Sequence, residues 1–127
     1  MKPETAAFLD KAREFLKKAE TMLADNWPDE AGRAAYLAGL HAARALIFER
    51  TSSVIKRHRG VQRELGRLTK DEPLLDRDLR SFLGRAYNLK AMADYETGAD
   101  ARVSAESAIA AIETARRFVD LVVQLLA

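Results

Sequence analysis

Apolar residues recur at intervals of three and four along nearly the whole chain, and no stretch sustains the strict alternation that a half-buried strand needs. That periodicity restricts the fold to the all-α class. A first helix is expected from about Glu4 to Asp25, with Phe8, Ala12, Phe15, Ala19 and Met22 on one stripe, widened by Leu9, Leu16 and Leu23. "DNWPDE" should end it, because proline disfavours helix at Trp27 and suits the first turn of a second helix, about Asp29 to Arg50. That helix carries Tyr36, Leu40, Ala43 and Ile47 on one face and Ala34, Ala38, Ala42 and Ala45 on another, small enough for a neighbour to approach closely.

"TSS" interrupts the pattern and offers hydroxyls for an N-cap, and a short third helix is expected around His58 to Thr69, broken by "KDEP". The fourth, about Leu75 to Glu96, turns Leu79, Leu83, Ala86 and Ala93 inward, and Gly98 in "TGADAR" suits a left-handed C-cap. Ser104 is the expected N-cap of a fifth helix carrying Ala105, Ala108, Ile112, Ala115, Val119, Val122 and Leu126. Short connections between long helices mean antiparallel neighbours, so the expectation is an up-and-down helical bundle of four long helices plus one short helix. Residues 1–127 are expected to form one domain, and no internal repeat is seen in the sequence.

Composition removes several function classes. The absence of cysteine excludes disulfides, thiolate zinc sites and a thiol nucleophile, and fits a reducing cytoplasm. Two histidines with no helical carboxylate–histidine spacing make a poor metal site, and no glycine-rich phosphate loop occurs, so no cofactor and no metal are expected. "MKPETAAFLDKAREF" contains no signal-like apolar core and no apolar run reaches membrane length; the expectation is a soluble, cytoplasmic protein without membrane contact.

Charge is the informative property. The formal net charge is only +2, yet residues 50–70 hold seven cations against Glu64 alone, a local +6 that leaves −4 for the rest. Within "KRHRGVQREL", Lys56 and Arg57 precede the third helix, and Arg59, Arg63 and Arg67 follow at i, i+4 and i+8. Such a row could track a sugar-phosphate backbone, or equally could be a solvated face paired with neighbouring acids. His58, among cations that favour its neutral form, is the candidate catalytic base for removing a 2′-hydroxyl proton, with Arg57 or Arg59 beside the phosphorane; the alternative is a helix-start ring that hydrogen-bonds a backbone group or packs against helix two. His41, on the stripe Leu37, His41, Arg44 and Phe48, reads as a core or interface residue, or as part of a polar network with Arg44 and Tyr95.

Four segments in order, "AAYLAGLHAARALIFE", "KRHRGVQREL", "LGRAYNLKAMADYETG" and "SAESAIAAIETARRFVD", resemble the HEPN superfamily of small helical proteins, in particular its branch of stand-alone domain proteins, over roughly residues 20–125. The resemblance implies the bundle just described, usually as a homodimer, often paired with a minimal nucleotidyltransferase in a toxin-antitoxin system. It further implies that many relatives are metal-independent ribonucleases with an Arg-x(4–6)-His motif, and that in some the partner adds nucleotides to a tyrosine in Arg-x4-His-x-Tyr. Here Arg33 and His41, and likewise Arg50 and His58, have seven residues between them. Placing Tyr95 on the modified tyrosine puts Ala93 at the histidine and Asn88 at the arginine. The motif is therefore absent and the enzyme assignment stays open. Expected, then, is a HEPN-like protein that binds RNA or a nucleotide through Lys56, Arg57, Arg59, Arg63 and Arg67 and serves in a toxin-antitoxin or defence pair. The alternative is a non-catalytic helical interaction protein.

Overall fold

Seven alanines of one helix, Ala31, Ala34, Ala35, Ala38, Ala42, Ala43 and Ala45, are buried, and they make that helix the centre of the molecule. The computed structural model describes residues 1–95 and 102–127. These form α1 (Pro3–Ala24), α2 (Pro28–Thr51), α3 (His58–Leu68), α4 (Arg77–Tyr95) and α5 (Ala105–Leu126), with no strand among the described residues. The expected all-α bundle of four long helices and one short one is what the chain forms.

Helix α2 touches all four other helices, because a surface of alanine and glycine brings backbones close on every side. Gly39 marks the tightest approach: a Cβ there would collide with the Phe82 ring of α4, itself buried. Around α2 pack Leu9, Ala12 and Ala19 of α1, Leu79, Phe82, Leu83 and Ala86 of α4, and Ala108, Ile112, Ala115, Phe118, Val119 and Val122 of α5. Against the expected inward positions, Ala105 is exposed and Ala93 only half-buried.

Several boundaries follow the local chemistry. Pro28 opens α2, and the Ser104 hydroxyl accepts the Ser107 N–H at 3.0 Å as the N-cap of α5. The hydroxyls of "TSS" do not cap α3. Helix α2 instead runs through Thr51, whose Oγ1 donates back to the Ile47 carbonyl at 2.8 Å, and ends on Ser52 in the left-handed conformation, φ 59°. Arg57 stands at the N-cap of α3 without a side-chain bond. Helix α4 starts at Arg77 rather than Leu75, since the Asp76 carboxylate accepts the Leu79 N–H at 2.9 Å. The expected reach of the fourth helix to Glu96 and the Gly98 cap lie outside the described residues. No helix among the described residues is long and apolar enough to cross a membrane.

Candidate nucleic-acid interface

The segment between α2 and α3 is tied down before it presents its cations. Arg44, one turn after His41 on α2, donates from Nε to the Ile55 carbonyl (3.0 Å) and from its terminal nitrogen to the Lys56 carbonyl (2.9 Å). Both acceptors precede α3 and lie outside its hydrogen-bond ladder, so the guanidinium satisfies carbonyls that would otherwise need water. The head of α3 is thereby held against α2.

Lys56, Arg57, Arg59 and Arg63 are exposed, and none forms an ion pair among the described residues. Arg67 departs from the expected row. It pairs with Glu64 one turn earlier, which holds that carboxyl below the usual carboxylate range. The i, i+4, i+8 array is thus reduced to two unpaired arginines, with Lys56 and Arg57 beside them. The pair is exposed, so a phosphate could compete for Arg67 at small cost.

His58, first residue of α3, packs into an aromatic corner. Its ring stacks on Tyr87 of α4 at 4.2 Å and 14°, while Tyr36 of α2 meets the Tyr87 ring edge-on at 5.6 Å and 66°. The Tyr36 hydroxyl and His58 Nδ1 lie 3.0 Å apart. Burial pushes the Tyr36 phenol up to about 12, so it keeps its proton at any physiological pH. Burial, then the Arg59 charge, lowers His58 and favours neutral imidazole. Tyr36 is 3% exposed and has no other hydrogen-bond partner among the described residues. Its proton therefore needs Nδ1 as acceptor, which assigns the remaining imidazole proton to Nε2. In that tautomer His58 donates a hydrogen bond, and the lone pair expected of a 2′-hydroxyl base is already engaged.

The remaining candidates do not join this corner. Tyr36 and His41 are five positions apart on α2, about 140° around the helix axis. The His41 ring accordingly faces α1, stacked on Phe15 at 5.4 Å and 5°, with Phe8 at 6.3 Å. Its Nδ1 is buried without a partner, and burial, then Arg44 and Lys11, lowers its pKa to about 4. Tyr95 stands at the last turn of α4, 72% exposed, with the Lys90 ammonium over its ring at 5.4 Å. Beside it Asp94 is paired with Arg33 and with Lys90. The expected network of His41, Arg44 and Tyr95 does not form: Arg44 is spent on two loop carbonyls, the buried His41 nitrogen is unbonded, and Tyr95 has no side-chain hydrogen bond among the described residues. The alternative reading of His58 as a helix-start ring packed against helix two describes its contact with Tyr36, but neither Tyr36 nor Tyr87 is singled out by the sequence as its partner, since a contact spanning three helices leaves no local signal.

The five helices of the described residues form an all-α bundle, the fold class of HEPN domains. The family model described as HEPN domain matches residues 5–126, and the chain belongs to that family. It is similar to a protein of Methanocaldococcus jannaschii named "Putative toxin MJ0605", 29% identical over 109 residues that span 86% of this chain and 81% of the relative.

Proposed function

We propose that this HEPN protein is the RNA-binding, toxin-like half of a toxin-antitoxin or defence pair, working as a homodimer with a minimal nucleotidyltransferase as partner. One observation carries the reading: four cations at the head of α3, Lys56, Arg57, Arg59 and Arg63, have no acid partner among the described residues. Unpaired guanidinium groups are disposed to take phosphate oxygens by charge-assisted hydrogen bonds, and the Nε2–H of His58 adds a neutral donor among them. The name of the archaeal relative supports the toxin half. The exposure of Tyr95 supports its phenol as the place where a nucleotidyltransferase partner would act.

The test is RNA affinity as a function of salt. Wild type should lose affinity steeply as salt rises, and replacing Arg57, Arg59 and Arg63 by Ala should flatten the log–log slope by about two, at roughly 0.7 per phosphate contact. Binding without salt dependence, or an unchanged slope in the triple variant, would overturn the proposal. A ribonuclease reading draws on the same corner, with His58 moving a proton after exchanging its Tyr36 bond. RNA cleavage lost in His58→Ala and indifferent to chelator would establish it.

A further inference from the structure

Phosphate contacts alone would not discriminate single-stranded from paired RNA, but the aromatic residues beside the cations can. Tyr87 is 37% exposed and its ring is held on two sides, by the stacked His58 imidazole and by the Tyr36 edge. The Tyr36 hydroxyl in turn fixes His58 at Nδ1. A ring braced in this way loses little conformational freedom when something stacks on it. Two turns further along α4, Tyr95 offers a second, more exposed ring with a cation already over it. Eight residues of helix set their backbones about 12 Å apart along the axis and about 80° apart around it, an arrangement that suits two nucleotides rather than one base.

From this arrangement we infer that the ligand is single-stranded RNA, with one unpaired base stacked on Tyr87, a neighbouring nucleotide reaching Tyr95, and the backbone turning onto Arg57 and Arg59. The inference rests on the RNA-binding reading above and adds the strand class and the base contacts. A duplex would not use these rings, because its base faces are already stacked and it is recognised through shape, phosphates and 2′-hydroxyls. Stacking on an aromatic side chain tolerates any base, which suits a binder without a hydrogen-bonding pocket at this position.

The experiment titrates a short single-stranded RNA carrying 2-aminopurine, and the duplex of the same sequence, against wild type, Tyr87→Leu, Tyr87→Phe and Tyr95→Leu, each first shown folded by circular dichroism. Wild type should bind the single strand more tightly than the duplex and quench its fluorescence. Tyr87→Leu should lower single-strand affinity about five- to hundredfold with the salt slope and duplex affinity unchanged, and Tyr87→Phe should retain binding. Tyr95→Leu should cause a smaller loss, because that ring is unbraced. Equal affinity for both forms together with full binding by Tyr87→Leu would overturn the inference, while a slope that still depends on the arginines would leave the charge reading standing. Absence of RNA binding by wild type would remove both.

Discussion

Lowering the pH should destabilise this protein through its two histidines, both held below their ordinary pKa, and His41 allows the effect to be worked through. In the folded chain, burial, Arg44 and Lys11 hold His41 down to about 4, against about 6.5 in an unfolded chain. Above pH 6.5 both states carry neutral imidazole and the residue contributes no pH dependence. As pH falls below 6.5 the unfolded chain takes up a proton that the folded chain refuses, so stability is lost progressively until the folded ring protonates near pH 4. Expressed in full, the gap corresponds to about 3 kcal/mol, of which about 2 kcal/mol is lost by pH 5. The ring is only partly buried, and solvent screening reduces the expected loss at pH 5 to about 1–2 kcal/mol. His41→Leu isolates the effect, because leucine keeps the apolar packing against Phe8 and Phe15 and removes both the titrating group and a buried unbonded nitrogen. Urea unfolding at pH 7.5 and pH 5 should show wild type losing about 1–2 kcal/mol more than the variant over that interval, with the variant at least as stable at pH 7.5. Equal losses in the two proteins would refute the reasoning, because every other titrating group is common to both.

Further perturbations test other parts of the structure. Gly39→Ala forces a methyl against the buried Phe82 ring and should cost about 1–3 kcal/mol in urea unfolding, whereas Gly66→Ala, on an exposed turn of α3 with open space around it, should stabilise by about 0.5–1 kcal/mol. Ser104→Ala removes the bond to the Ser107 N–H and should cost about 1 kcal/mol, recovered in part by Ser104→Asp. Arg59→Gln should raise the His58 pKa in an NMR titration, but only part of the way to normal, because burial is the larger cause of its depression. A complete return to the ordinary histidine value would show that charge, not burial, controls that ring.

Helix existence was legible from spacing because it depends on which residues can share a buried stripe, a property of each segment taken alone. The alanine face of α2 was read in this way, and the proline at its start and the Ser104 cap from the chemistry of single residues at a boundary. Caps were harder wherever several polar residues stood near a boundary. Thr51 and Ser52 look like N-cap residues, yet they close α2, and Asp76 rather than the start at Leu75 sets the beginning of α4. Such outcomes depend on which backbone groups lack partners once the helices have docked.

The local excess of positive charge was visible by counting residues, but whether those charges were already paired was not. Glu64 takes Arg67 through helical proximity, which sequence spacing allows, while the lack of acid partners for Arg57, Arg59 and Arg63 among the described residues follows from how α3 lies on α2 and α4. What the amino-acid order determined by itself was the all-α class, the helix limits to within a few residues and the position of the cation-rich segment, since each rests on interactions between near neighbours along the chain. Only the tertiary structure decided that His58 stacks on Tyr87 and bonds Tyr36, that His41 turns away to α1, and that Arg44 anchors the loop between them. Those contacts join residues 11 to 29 positions apart or face opposite sides of one helix, and no local propensity encodes them.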